Sequence, residues 1–271
     1  MIDTLTAAFG LTRMPFGRDL PPSRLHRHRD CAEAAARITW AVAGRTICVI
    51  TGEAGTGKTA AVRTAVADLD PAAHTLVYIG NPTAGVRGIL SAAVTALGGR
   101  PAHGTAALAA QAWSTLAGEA AERGRTPVLV IDEGHLLDHE QLESVRLLTN
   151  FDMDSTTPFA TVLVGQPTLR HNIKLGVLAA LDQRITVRYQ MKGMTPEETA
   201  SYIRCHLEAA GRTADLFSQD AITQIHQAAR GKPRTVNNLC IAALIATAAA
   251  GNGLVDHSAA RAAIAEITAT D

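Results

Sequence analysis

The sequence predicts an α/β fold with a parallel sheet covered on both faces, followed by an all-helical part. Three observations carry this. Five short apolar, β-branched runs alternate with helical stretches as far as about residue 193. The first run leads directly into a glycine-rich loop and then a helix. After Met194 no further strand-like run occurs.

In chain order, residues 1–30 hold Pro15, Pro21 and Pro22 among Arg13, Arg18, Arg24, Arg27 and Arg29, which predicts an extended, positively charged lead-in segment. Cys31 to Ala43 has helical periodicity. The strand-like runs are Thr46–Thr51, His74–Ile79, Pro127–Asp132, Phe159–Gly165 and Ile185–Tyr189. Thr195-Pro196-Glu197-Glu198 then starts a helix, with Thr as N-cap, Pro in the first turn and Glu placed to close a capping box. Helices are expected over roughly 196–210, 219–230, 233–250 and 257–267, punctuated by Gly211, Gly231, Gly251 and Gly253. The expected domains are a lead-in over 1–30, an α/β core over 31–193 and a helical part over 194–271.

Composition narrows the function classes. Hydrophobic residues make up 47% of the 271 but aromatics only 4%, so the core is built mainly from Ala, Val, Ile and Leu. Lys plus Arg and Asp plus Glu both number 25, which excludes a global basic field for nucleic acid and leaves only local patches. Cys31, Cys48, Cys205 and Cys240 form no C-x-x-C pair, so a zinc site or a disulfide framework is not expected. With no apolar signal core and no run long enough to span a bilayer, a cytoplasmic protein without a membrane segment is expected.

Gly52-Glu53-Ala54-Gly55-Thr56-Gly57-Lys58-Thr59 matches G-x-x-x-x-G-K-[ST] in the strand–loop–helix context that the motif needs. Glycines let the chain wrap a phosphate closely, so that backbone N–H groups from Gly52 through Ala60 and a helix N-terminus meet the negative charge. Lys58 can reach the β- and γ-phosphates of ATP, and Thr59 can hold Mg2+. Asp132 and Glu133 end the third run. They fit the magnesium-side acid and the base that polarises the attacking water.

Gln166, after the fourth run, fits a sensor of the γ-phosphate or the water, or else a turn residue before Pro167. Asn81, after the second run, fits either a switch holding Glu133 in an unproductive rotamer or a turn former. Arg184 is expected to open the last strand and to face a neighbouring subunit. Arg188, four residues on and on the same side by strand alternation, is its rival. Arg234, in Gly231-Lys232-Pro233-Arg234, is placed to report nucleotide state from the start of a lid helix.

In these spacings the chain resembles AAA+ ATPases, and within them the transposition-adaptor group that includes TnsC, TniB and MuB, together with the related ExeA-type secretion ATPases. The resemblance rests also on Phe9-Gly10-Leu11, Pro15-Phe16, Leu147-Leu148-Thr149-Asn150-Phe151, Val164-Gly165-Gln166-Pro167 and Pro233-Arg234-Thr235-Val236-Asn237-Asn238-Leu239-Cys240. It implies a five-stranded parallel sheet in the order 5-1-4-3-2 with a C-terminal helical lid. It also implies an Mg2+-dependent ATPase that forms a homo-oligomeric ring or filament on double-stranded DNA and recruits a transposase. Because ExeA-type proteins carry a membrane segment after the lid and this sequence ends at Asp271, the transposition branch is the expected one. Arg87, Arg100, Arg170 and Lys174 are the candidate DNA contacts, and His26-Arg27-His28-Arg29 is a further patch for DNA or a partner. The alternatives are an ExeA-like ATPase acting on protein partners and a replication-initiator-like ATPase.

Overall fold

The computed structural model describes residues 2–17, 19–150 and 157–268. Two helices open the chain, α1 (Ile2–Phe9) and α2 (Arg29–Ala43). Strand β1 (Ile47–Gly52) precedes α3 (Lys58–Ala67), and β2 (His74–Ile79) precedes α4 (Gly85–Ala96) and α5 (Thr105–Arg123). Next come β3 (Thr126–Ile131), α6 (His139–Leu148), β4 (Ala160–Gly165), α7 (Pro167–Ile173), α8 (Ala179–Arg184) and β5 (Ile185–Met191). The chain then continues through α9 (Pro196–Ala209), α10 (Gln219–Ala229), α11 (Pro233–Ala249) and α12 (His257–Thr268). None of the described helices is long and apolar enough to cross a membrane.

The chain divides into two compact units. The α/β unit comprises Ala32–Ala54 and Lys58–Met191, and the helical unit comprises Met1–Cys31, Gly55–Gly57 and Lys192–Asp271. In the α/β unit all five strands are parallel in the order β2-β3-β4-β1-β5, which is the expected 5-1-4-3-2 counted from the other edge. Burial explains why the strands were visible in sequence. Every residue of the inner strands β1 and β4 is buried, giving unbroken apolar runs, whereas the edge strand β5 alternates buried and exposed. Leu129, Ile131 and Leu163 from the sheet pack with Ile89, Leu108, Leu116 and Leu142 from the helices. At about 25 cal/mol per Å2 of apolar surface removed from water, this burial is what holds the layers together.

The helical unit corrects the expectation for the N-terminus. Residues 2–9 are a helix, not extended chain, and Leu5, Phe9, Leu11 and Phe16 are buried among Tyr202, Ile203, Leu207 and Leu239. Leu5 and Phe9 stand one helical turn apart, so both fall on the buried face. That apolar spacing outweighs the prolines and arginines around it. Arg18 lies outside the described residues. In the His26-Arg27-His28-Arg29 patch the two histidine rings turn inward, while Arg27 and Arg29 are exposed. His28 is buried, and His26 Nε2 lies 2.9 Å from Ser201 Oγ while its ring meets Tyr202 edge-on. Burial lowers the pKa of both rings despite the nearby Glu198 carboxylate. Thr195 caps α9 with the expected reciprocal bonds to Glu198.

Candidate functional site

Parallel strands deliver side chains to one edge. β1, β3 and β4 lie side by side, so the residues that follow their C-terminal ends come together. After β1 the loop runs through Gly55 and Gly57, with φ of +82° and +93°, where a Cβ would be strained. The Lys58 ammonium is buried and donates to the carbonyls of Gly52 (2.8 Å) and Glu53 (2.9 Å). Thr59 Oγ1 donates to Asp132 Oδ2 at 2.9 Å, so the hydroxyl and carboxylate that an octahedral Mg2+ needs already converge. The donor set therefore fits that ion with a nucleotide phosphate. Asp132 Oδ1 accepts from the Glu133 N–H at 2.8 Å.

Glu133 has φ +52°, ψ +32°, a left-handed conformation uncommon for a non-glycine residue, and its side chain is 50% exposed. Such a position holds a carboxylate clear of its strand at a cost of about 1–3 kcal/mol. Gln166 follows β4 as the N-cap of α7, but its side chain makes no capping bond. Its Nε2 instead lies 3.0 Å from His135 Nε2. The other ring nitrogen, Nδ1, lies 3.4 Å from Glu133 Oε2.

His135 and Tyr78 are the two residues that motif reading missed. Tyr78 stands on the edge strand β2 and donates its hydroxyl to Asp132 Oδ2 at 3.1 Å. Partial burial first, then the Asp132 and Glu133 carboxylates, push this phenol up to about 12, so it keeps its proton to donate. A Cβ at Gly80 would lie 3.0 Å from the tyrosine ring, so a glycine two residues on leaves room for it. An aromatic residue three positions before Asn81 was the available signal for Tyr78, and a histidine two after Glu133 the signal for His135.

The remaining candidates are placed as follows. Asn81 Oδ1 accepts from Thr83 N (3.1 Å) and Thr83 Oγ1 (2.7 Å), capping a short 3-10 turn. Arg184 does not open β5. It closes α8 and donates to Thr149 Oγ1 (3.1 Å) and Asn150 Oδ1 (3.4 Å), so strand alternation does not relate it to Arg188. The helix extends to Arg184 because Ala179–Arg184 lacks any breaker. Phe151 lies outside the described residues.

β5 starts beside Ile47, the first residue of β1, whereas the phosphate loop follows the last. At roughly 3.3 Å per residue, that sets Arg184 about 20 Å from its own chain's loop. Arg188 is held by Asp182 at 2.8 Å. Within the helical unit, Arg234 N donates to the Gly55 carbonyl at 3.2 Å, and a Cβ at Gly55 would lie 3.0 Å from Arg234 Cβ.

The four candidate DNA contacts fall into two pairs. Arg87 lies on α4, which packs on β2, and donates to the carbonyls of His103 (2.6 Å) and Ala102 (3.3 Å). Arg100 follows the same helix. Arg170 and Lys174 line a cleft of about 290 Å3 with Arg188 and Asp182 at the β5 edge, and Arg170 donates to Gln190 at 2.9 Å. The two pairs thus lie toward opposite edges of the sheet.

Residues 42–173 match the family described as AAA domain. The chain is 33% identical over 255 residues to general secretion pathway protein A of Aeromonas hydrophila, a match that covers 93% of this chain and 46% of that protein. The chain thus spans about half the length of this relative. Among solved structures, it is similar to the ORC2 protein of Aeropyrum pernix in its ADPNP–ADP complexes. There the TM-score is 0.70 at 14% identity, covering 93% of this chain and 71% of that one. It is also similar to Cdc6p from Pyrobaculum aerophilum, with a TM-score of 0.67 at 17% identity, covering 89% and 67%. At those identities the likeness shows the fold alone.

Proposed function

We propose that the chain, whose residues 42–173 match the AAA domain family, binds ATP with Mg2+, hydrolyses it, and drives protein partners of a secretion or envelope-assembly machine. The observation that carries the chemistry is the convergence of Thr59, Asp132 and Glu133 at the ends of β1 and β3. Bound Mg2+ would supply charge neutralisation on the phosphates. Lys58 would exchange its two loop carbonyls for phosphate oxygens. Glu133, half in solvent, would take the proton of the attacking water, a role worth about 10²–10⁴-fold in rate. Arg184, too far from its own loop, would serve the site of a second copy.

The 33% identity across most of the chain with a secretion-pathway protein supports protein partners over a transposase. The end of the sequence at Asp271 carries no weight between the two branches, since the match reaches only 46% of the relative's length. The test is hydrolysis by the purified chain with and without Mg2+, together with duplex DNA binding at low salt with a non-hydrolysable ATP analogue. Mg2+-dependent hydrolysis without nucleotide-dependent duplex binding is the expected result. Duplex binding that requires the analogue and weakens with salt would instead restore the transposition-adaptor reading.

A further inference from the structure

We infer that His135 is a positioning residue that couples Gln166 to the Glu133 carboxylate, an inference that rests on Glu133 being the base of the reading above. Two contacts compete for His135 Nδ1, both at 3.4 Å: the Gln166 N–H, which needs a lone pair there, and Glu133 Oε2, which needs a proton. The shorter contact on the other side of the ring decides between them. At 3.0 Å the Gln166 amide nitrogen faces His135 Nε2, and an amide NH2 only donates. With the amide in this orientation Nε2 accepts, and the neutral ring carries its proton on Nδ1, the nitrogen 3.4 Å from Glu133 Oε2. The result is a chain of contacts in which Gln166 donates to His135 and His135 Nδ1 lies beside Glu133 Oε2 at 3.4 Å.

The ring is well placed to transmit a change. Its side chain is 13% exposed against 50% for Glu133, so the histidine is the packed member and the carboxylate the solvent-facing one. The His135 backbone is pinned by the end of β4, because a Cβ at Gly165 would lie 2.9 Å from its amide nitrogen. Gln166 follows β4 between the strands that carry Asp132 and the phosphate loop. If Gln166 turns toward a phosphate, His135 loses its donor at Nε2, and its hold on Glu133 changes with it. Nucleotide state thereby reaches the base through one ring.

The test uses steady-state turnover and equilibrium ATP binding for the full chain and for His135→Ala, His135→Asn, Gln166→Ala, Glu133→Gln and the His135→Ala/Gln166→Ala pair. His135→Ala is expected to lower kcat about 10- to 100-fold with KM and ATP affinity unchanged, as a misdirected base would. His135→Asn, whose amide N–H can stand in for Nδ1–H toward Glu133, should recover much of the loss. The pair should be no slower than the worse single variant, since both break one chain of contacts. Wild-type kcat in His135→Ala while Glu133→Gln is inactive would overturn the inference alone, as would fully multiplicative losses in the pair. Full turnover in Glu133→Gln would remove the base reading and the inference with it.

Discussion

Gly165→Ala probes the packing that sets the geometry of the site. An added Cβ would lie 2.9 Å from His135 N, 2.9 Å from Leu169 Cδ2 and 3.2 Å from Leu169 Cβ. Comfortable carbon contacts begin near 3.5 Å, so the methyl is about 0.5 Å too close on two sides. Leu169 is fully buried and Gly165 is paired with Thr51 of β1, so neither can swing aside. Relief must come from the turn that carries Glu133 and His135.

Overpacking of this kind costs about 1–3 kcal/mol, or roughly 2–12 °C in melting temperature for a unit of this size. The two tryptophans, Trp40 on α2 and Trp113 on α5, both lie in the α/β unit, so their fluorescence during denaturation follows that unit. Gly176→Ala, where an added Cβ meets open space, is the control and should leave the midpoint unchanged. Gly165→Ala should also lower turnover by more than its stability loss explains. An unfolding midpoint and a kcat both equal to those of Gly176→Ala would refute the reasoning.

Three further outcomes are expected. Tyr78→Phe removes a hydroxyl bound to Asp132 from an edge-strand residue that is 46% exposed, so stability should change by less than about 1 kcal/mol. The Mg2+ concentration for half-maximal hydrolysis should nonetheless rise about tenfold, and an unchanged Mg2+ titration would exclude the contact's role. Arg184→Ala should lower turnover about 10³-fold, and mixing it with inactive Lys58→Ala copies should restore activity if the arginine acts between subunits. No recovery in the mixture would contradict that. Glu119, whose side chain is 2% exposed, binds Thr75 (2.7 Å), Arg123 (2.8 Å) and Arg125 (3.0 Å). Burial pushes its carboxyl up, but those hydrogen bonds and charges outweigh burial and hold it below the usual 4.5. Its stabilisation is therefore complete above that value and lost as pH falls through the lower folded-state value. Glu119→Gln should flatten the acid limb of the stability profile, and an unaltered limb would count against the pairing.

What the sequence made legible follows from local chemistry. The inner strands were visible because burial on both faces leaves continuous apolar runs, and β2 because its six residues sit between clear turn signals. The α9 start was visible because Thr195, Pro196 and Glu198 each have a distinct task in the first turn. That Thr59 and Asp132 would meet was legible because the loop motif fixes Lys58 and Thr59 after β1, and an apolar strand ending in Asp132 and Glu133 sets the carboxylates at the same edge of the sheet. Helix α1 was not, since among its described residues Leu5 and Phe9 are the buried ones of the core, and they depend on partners some two hundred residues away. Tyr78 and His135 reach the site by way of an edge strand and a turn, so the register of β2 against β3 and the crossing of the turn over Gly165 are needed to turn their sequence spacing into a placement. Arg184 was placed at the start of β5 rather than at the end of α8 because a six-residue helix runs without a break into that strand.

The most direct test of the central claim compares ATP binding and ATP hydrolysis in single preparations of the wild-type chain, Lys58→Ala and Glu133→Gln. Lys58→Ala should lose binding, and Glu133→Gln should keep it while turnover falls about 10²–10⁴-fold. Turnover in Glu133→Gln equal to wild type, or undiminished ATP binding in Lys58→Ala, would contradict the assignment of this site.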